Sequence, residues 1–226
     1  MVAKMQRIPE PELMDSKAQT RAYAEADFSD SNSLFVSNFI QRFPDLPLNG
    51  DLIDLGCGPG DICVRLSDAL DGWQITGLDA GENMLKCANE AIAQADRSDH
   101  IKLRQSYLPD ESLGFRSFDA VISNSLLHHL PEAMTLWETI ARIGRPGAAI
   151  TVMDLRRPDS TTQAATLVEQ YSANEPDVLK EDFFNSLLAA YTPDEISKQL
   201  RKAGLDYLDL ELSSDRHWTV SGQLVA

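Results

Sequence analysis

The sequence predicts an α/β protein built on a seven-stranded, mostly parallel sheet. After Gly50, short apolar segments alternate with helical segments, which is typical of a parallel sheet covered by helices on both faces. A glycine-rich turn joins the first apolar segment to the helix that follows it, and two apolar segments joined by a short turn end the chain. A length of 226 residues favours one domain that buries its own core without disulfides or metal ions.

The elements follow in order along the chain. Residues 1–18 are predicted to be a flexible arm and residues 19–226 a single domain, in which 19–46 and 160–190 form a helical cap. The candidate strands are 51–55, 74–78, 101–103, 118–123, 148–153, 207–212 and 217–224, and the helices between the first five are 61–71, 82–97 and 131–143. The short turn at 213–216 predicts that the last strand runs antiparallel.

One late helix carries its own start and stop signals. Thr192 and Glu195 have the spacing of a capping box, and Pro193 occupies the first helical position. Gly204 stands where a left-handed residue would end the helix.

Composition and charge exclude several classes of protein. The chain has 20 lysines and arginines against 35 aspartates and glutamates, and a net charge of −15 repels nucleic acid. Three cysteines without a CxxC pair argue against a zinc site or a disulfide framework and favour a reducing cytoplasm. No secretory signal is visible at the N-terminus. The longest apolar run, 148–153, is far shorter than the ~20 residues of a membrane span.

The most informative segment is the glycine loop after the first strand. Gly56, Gly58 and Gly60 alternate along it, which lets a ligand approach the backbone. Asp79 ends the second strand, 25 residues after Asp54, where a carboxylate can accept hydrogen bonds from both ribose hydroxyls of a nucleoside. The alternative is that the glycines make a tight turn and that Asp79 caps the next helix.

The spacing of the loop bears on which nucleoside is bound. A dinucleotide loop reads GxGxxG, but here the spacing is GxGxG and Asp61 stands where that third glycine would fall. A carboxylate at a helix N-terminus competes with a diphosphate for the same backbone donors, so a cationic ligand fits better. A nicotinamide dinucleotide remains the minor alternative.

These residues resemble the class I S-adenosylmethionine-dependent methyltransferases, whose first motif is an acid followed by GxGxG. Residues 79–85 look like the second motif of that family, and 118–130 are similar to its fourth-strand motif. Pro146 and Gly147 before the fifth strand also match. The resemblance spans residues 19 to 224 and implies a Rossmann-like class I methyltransferase fold. At 105–108 the chain departs from the family, because Ser106 stands near the place of the usual Gly-Asp.

The resemblance also implies S-adenosylmethionine as cofactor. Asp54 would lie near its amino group, the glycines along its methionine part, Asp79 at the ribose and Met84 at the adenine. The implied cofactor residues are Asp54, Gly56, Cys57, Gly58, Gly60, Asp79, Ala80, Met84, Ser106, Tyr107 and Asn124.

Two histidines follow the fourth strand and are candidates for contact with the acceptor. A neutral imidazole titrates in a useful range, so His128 is the candidate general base and His129 a candidate substrate contact. The alternative is that one histidine caps a helix and the other packs against Trp137. Asn124 is not followed by Pro-Pro-Tyr or Pro-Pro-Phe, the pattern of enzymes that methylate amino groups on bases or glutamine.

Other side chains could complete the substrate site. Arg156 and Arg157 follow the fifth strand and would clamp an anionic group, or else form surface salt bridges. Aromatic residues of the N-terminal and late helices would form a lid over the sulfonium, or else simply pack; they are Tyr23, Phe28, Tyr171, Phe183 and Phe184.

The sequence therefore predicts methyl transfer from S-adenosylmethionine to a small-molecule acceptor, without a metal ion. Methylation of RNA or protein, or a cofactor-binding module without activity, are the alternatives. The acceptor atom and the oligomeric state stay open.

Overall fold

A computed structural model describes residues 5–10, 15–26 and 28–225. Seven strands form one sheet in the order β3-β2-β1-β4-β5-β7-β6. Strands β1 to β5 run parallel, and β7 lies antiparallel between β5 and β6. The strands are β1 Gly50–Leu55, β2 Trp73–Asp79, β3 Ile101–Gln105, β4 Phe118–Asn124, β5 Gly144–Leu155, β6 Asp209–Glu211 and β7 His217–Gln223. The predicted sheet, including its reversed last strand, is confirmed.

Helices cover both faces of this sheet. They are α1 Lys17–Glu25, α2 Ser29–Arg42, α3 Asp61–Ala69, α4 Glu82–Gln94, α5 Met134–Ile143, α6 Thr161–Ser172, α7 Asp177–Ala189 and α8 Pro193–Ala203. A 3₁₀ turn spans Leu127–His129 after β4. The predicted caps of α8 are present, with a complete capping box at its start and a left-handed Gly204 at its end. Within the described residues, no helix has the length and apolarity needed to cross a membrane.

Side chains that alternate along the buried strands divide the core into two layers. Ile53 packs in one layer with Trp137 and Trp218, and the neighbouring Leu52 packs in the other with Phe39 and Trp73. Successive residues of a strand point to opposite faces, so a strand buried on both sides reads as a continuous apolar run.

The strand order places the site. The chain leaves β1 for β2 on one side and later returns to β4 on the other, so the order reverses at β1. Open α/β sheets bind ligands in the crevice outside the carboxyl ends of the strands at such a point. The glycine loop, Asp79 and the residues after β4 all lie at this end of the sheet.

Part of the N-terminal segment, predicted to be a flexible arm, makes hydrogen bonds to the end of α7. The amide of Ile8 donates to the carbonyl of Leu188 at 3.0 Å, and Nε of Arg7 donates to that of Ala189 at 2.6 Å. Residues 5–10 are therefore docked on α7, and α1 begins at Lys17 with Ser16 as its cap. The other arm positions, 1–4 and 11–14, lie outside the described residues.

Candidate active site

The glycine loop is tied to the neighbouring strand. The amides of Gly56 and Cys57 donate to the carbonyl of Leu78 at 2.8 and 3.0 Å, which holds the loop against the end of β2. Gly58 has a φ of +51°, and a Cβ added there would meet no atom within 4 Å. The loop therefore presents open backbone, in a conformation that favours glycine.

Gly60 has a different role from the other two. A Cβ at this position would lie 3.1 Å from Cβ of Ala88, so Gly60 allows the start of α3 to pack closely on α4. It lines neither of the two cavities next to the loop.

Asp79 holds the loop and faces the cleft. One carboxylate oxygen accepts from the amide of Gly58 at 2.9 Å, and the other accepts from that of Gly81 at 2.8 Å. Burial raises the pKa of Asp79, while these two amide donors act in the opposite direction. A carboxylate has about four lone-pair sites, so two amides leave it able to accept from ribose hydroxyls.

Two buried acceptor atoms lie below the loop. Oδ1 of Asp54 and Oδ1 of Asn124 have no hydrogen-bond partner among the described residues, and both residues line the same cavity. The other oxygen of Asp54 accepts from Sγ of Cys63 at 3.4 Å. Burial raises the pKa of Asp54 to about 7. An unsatisfied buried acceptor is costly, so the pair suits a ligand that carries several N–H donors and a positive charge.

Most of the residues that the sequence predicts for the site line the cleft above these atoms. Its walls include the following ten predicted positions: Tyr23, Gly56, Gly58, Asp79, Ala80, Met84, Ser106, Tyr107, Asn124 and His129. Asp54 and Cys57 line the adjoining cavity, which shares Tyr23, Gly56, Gly58 and Asn124 with the cleft. Of the predicted aromatic lid, only Tyr23 lines the cleft. Its ring lies 4.7 Å from that of Phe28.

The residues that follow β3 line another wall of the cleft, and hydrogen bonds to backbone carbonyls hold them in place. The amide of Ser106 donates to the carbonyl of Asp79 at 3.0 Å, and its hydroxyl donates to the carbonyl of Tyr107 at 3.3 Å. Leu108 also lines the cleft beside the buried Met84. This wall is suited to a flat apolar ring with polar edges.

The first of the two histidines lies in a different place from that expected, and the second lines the cleft. His128 is 2% exposed rather than at the mouth of the cleft, and its Nδ1 lies 2.5 Å from Oδ1 of Asp154. Burial opposes the charging of this imidazole, but Asp154 outweighs that effect and raises the pKa of His128. His129 lines the cleft, and the two rings lie 4.2 Å apart.

Two acids of the N-terminal segment reach this region, and sequence reasoning missed both. Oε1 of Glu10 lies 3.5 Å from Nε2 of His128 and 3.3 Å from Nδ1 of His129. Oδ1 of Asp15 accepts from the amides of Asn83 and Met84 at the start of α4. No pattern in the sequence marks either acid, because each acts through a contact made far away in the chain.

The two arginines are not brought to the cleft. Nη2 of Arg157 lies 2.7 Å from Oε1 of Glu195, and its Nη1 donates to the carbonyl of Ala190 at 2.9 Å. Arg156 donates to the carbonyl of Asp215 at 2.8 Å. Neither lines the cleft, so the expected clamp for an anionic substrate is not formed. Arg157 instead joins the end of β5 to the start of α8.

Three features of the fold and the site are shared with one family of enzymes. A GxGxG loop after β1, an acid at the end of β2 and a reversed strand between β5 and β6 are the features that the sequence shares with the class I S-adenosylmethionine-dependent methyltransferases. The matches to known proteins support the same class.

Comparisons of the sequence with known proteins point to the same class of methyltransferases. A family profile described as "Methyltransferase domain" matches residues 53–150. The chain is 29% identical over 164 residues to the 27-O-demethylrifamycin SV methyltransferase of Amycolatopsis mediterranei, a match that covers 71% of this chain and 56% of that protein. It is 29% identical over 150 residues to the trans-aconitate 2-methyltransferase of Rhizobium meliloti, covering 66% and 54%. The chain thus spans little more than half the length of these relatives.

Solved structures share the fold. A SAM-dependent methyltransferase from Aquifex aeolicus superposes with a TM-score of 0.66 at 17% identity, over 91% of this chain and 98% of that one. The phosphoethanolamine N-methyltransferase 2 of Haemonchus contortus, in complex with phosphomonomethylethanolamine and S-adenosylhomocysteine, gives a TM-score of 0.68 at 15% identity. That match covers 92% of this chain and 57% of the other.

Proposed function

We propose that this chain binds S-adenosylmethionine and transfers its methyl group to a small-molecule acceptor. The observation that carries the cofactor assignment is the pair of buried acceptors, Oδ1 of Asp54 and Oδ1 of Asn124, which have no partner among the described residues. An α-ammonium group placed there would donate to both oxygens and offset the charge of Asp54. The open backbone at Gly58 and the carboxylate of Asp79 lie beside the same cavities.

Each residue then has a task in binding. Gly56 and Gly58 let the methionine part approach the backbone, and Asp79 accepts from the ribose hydroxyls. Met84 and the chain at 106–108 pack around the adenine. When bound, the cofactor supplies an electrophilic methyl group on its sulfonium. The main contribution of the protein is to hold an acceptor in line with that group and to exclude water.

Two features support a small acceptor. Tyr23 of α1 closes one side of the cleft, and the docked residues 5–10 lie beside His129 on another, which restricts access by a macromolecule. The net charge of −15 further disfavours nucleic acid. The relatives are named for rifamycin and trans-aconitate, both small molecules.

The histidines divide their roles in this proposal. His129 lines the cleft and is placed to contact the acceptor. His128 lies behind it, held by Asp154, and acts as a positioning residue for the turn that carries His129. A cytoplasmic location also belongs to the proposal, since Cys57, Cys63 and Cys87 are free thiols.

The test is methyl transfer from isotopically labelled S-adenosylmethionine in a cell extract, followed by separation of small molecules, RNA and protein. Label in a small molecule is expected with the wild-type chain, and none above background with Asp79→Ala. Label only in RNA or protein would overturn the assignment of the acceptor. Calorimetric binding of the cofactor without any labelled product would indicate a binding module, and absence of binding would overturn the cofactor assignment itself.

A further inference from the structure

A compact set of metal-binding groups lies at the edge of the cleft, outside the residues that the cofactor needs. Glu10, His128 and His129 each offer one ligand atom, and the three atoms lie within 4.8 Å of one another. One residue comes from the N-terminal segment and two from the turn after β4. The fold therefore brings together groups that are more than a hundred positions apart in the chain.

The distances within the set match a coordination shell better than hydrogen bonds. Oε1 of Glu10 lies 3.5 Å from Nε2 of His128 and 3.3 Å from Nδ1 of His129. Charge-assisted hydrogen bonds measure about 2.7–2.9 Å, so both separations are too long for a strong pair. Ligand atoms about 2.1 Å from a tetrahedral zinc ion lie about 3.4 Å from each other. The carboxylate oxygen of Glu10 is therefore at ligand spacing from both imidazole nitrogens, and all three ligand atoms lie within 4.8 Å of one another.

The surroundings also have the pattern of a metal site. Nδ1 of His128 lies 2.5 Å from Oδ1 of Asp154, which leaves Nε2 directed towards Glu10. A histidine that binds a metal through one nitrogen commonly donates from the other to a carboxylate, which fixes the tautomer and the ring orientation. With both imidazoles neutral, the carboxylates of Glu10 and Asp154 balance the charge of a divalent cation.

The segment that supplies Glu10 is held in place. Arg7 donates to the carbonyls of His128 and Ala189, and Ile8 donates to that of Leu188. The Glu10 side chain is 8% exposed and accepts from the hydroxyl of Ser186 at 3.1 Å. A ligand that is fixed by its neighbours loses little conformational entropy when it binds a metal ion.

We infer that Glu10, His128 and His129 form a zinc site at the edge of the cleft, with Asp154 as the positioning residue for His128. Two histidines and one glutamate are the ligand set of catalytic zinc sites, in which the fourth position stays open. Because His129 lines the cleft, that position is available to water or to an oxygen or sulfur atom of the acceptor. The last step, contact with the acceptor, rests on the proposed function; the metal site does not.

The experiment is a zinc titration by calorimetry on the full chain after dialysis against a chelator, without S-adenosylmethionine. One ion is expected to bind. Glu10→Gln and His129→Ala should each weaken binding more than about 100-fold, and Asp154→Asn about 10–100-fold, the range for residues that orient a ligand. Glu132→Gln and His100→Ala are matched controls outside the set and should bind like the wild type. Cobalt in place of zinc should give visible absorption of tetrahedral intensity that Glu10→Gln removes.

Two outcomes would overturn the zinc site. One is a folded wild-type chain, checked by circular dichroism, that binds no zinc at saturation. The other is equal affinity in Glu10→Gln and Glu132→Gln. Either would leave the set as a polar contact that docks the N-terminal segment. Binding of S-adenosylmethionine, measured separately without zinc, keeps a failure here distinct from a failure of the proposed function.

Discussion

Asp54 and Asp79 end adjacent parallel strands, but their surroundings assign them different work. Asp79 accepts from two loop amides and borders the cleft. Asp54 is 1% exposed and has a thiol as its only partner among the described residues. The carboxylate of Asp79 is therefore placed to accept from hydroxyls, whereas that of Asp54 needs a cation from the ligand.

Replacing Asp79 by alanine is expected to weaken S-adenosylmethionine binding by about 2–4 kcal/mol, or roughly 30- to 1000-fold. The variant loses a charged acceptor for two hydroxyls, and hydrogen bonds to charged groups contribute about 1.5–3 kcal/mol each without adding fully. Calorimetry measures the effect. Asp71→Ala, which removes a highly exposed acid just before β2, is the control. Unchanged affinity in a folded Asp79→Ala protein would contradict the ribose assignment.

The affinity for S-adenosylmethionine should depend on pH through Asp54. Burial raises its pKa from 3.8 to about 7, so in the free protein this group favours folding most at low pH and loses that contribution as pH rises through 7. A bound ammonium prefers the ionised carboxylate, so the affinity should rise about tenfold between about pH 5.5 and 7.

Titration calorimetry across this pH range provides the test of the Asp54 assignment. Asp54→Asn should bind more weakly at pH 7 and lose most of the pH dependence, because the amide does not ionise. Asp119→Asn, at the opposite end of the sheet beside Arg145, should keep the wild-type profile. A wild-type profile that stays flat over the range would contradict the contact between Asp54 and the ammonium.

Among the elements, the glycine loop is the one proposed to bind the cofactor, and a glycine within β5 provides its control. Gly58 and Gly147 both have positive φ, and a Cβ at either would meet no atom within 4 Å. Both substitutions to alanine should therefore cost about 1–2 kcal/mol of stability through backbone strain alone.

Only Gly58→Ala should also lose S-adenosylmethionine binding, by more than about tenfold, because its Cβ would take space from the ligand at the carboxyl end of β1. Gly147 lies in β5 between the residues that pair with Phe118 and Ala120, at the other end of the sheet. Chemical denaturation and calorimetry on the two variants separate strain from binding. Equal affinity in both would show that the loop is only a turn.

At the scale of the whole molecule, the acidic surface has a measurable effect on stability. A net charge of −15 destabilises the compact state through repulsion, and salt screens it over a Debye length of about 8 Å at 0.15 M. The free energy of unfolding should therefore increase from low salt to about 0.15 M. Thermal denaturation in sodium chloride tests this, with urea melts as a second measure. A midpoint that falls with added salt would show that ion pairs such as Arg97 with Asp68 outweigh the repulsion.

Local patterns in the sequence predicted the features of this protein that depend on residues close together in the chain. The alternation of strands and helices, the capping box at Thr192 and the GxGxG loop are local patterns, and the structure contains each of them. The ends of the strands were predicted less accurately than their presence. Candidate strand 148–153 extends to Gly144–Leu155, because the pairing with β7 continues to Leu155 opposite His217. The pairing of a strand with another strand distant in the chain leaves no pattern in the local sequence.

Contacts between distant segments, which only the folded structure shows, set which way the side chains around the cleft point. His128 and His129 are adjacent in the chain, but one lies buried on Asp154 and the other lines the cleft. Arg157 forms an ion pair with Glu195 and does not line the cleft. Glu10 reaches the histidines only because residues 5–10 dock on α7. These arrangements depend on burial and on contacts between segments that are distant in the chain, and no periodicity in the sequence encodes them.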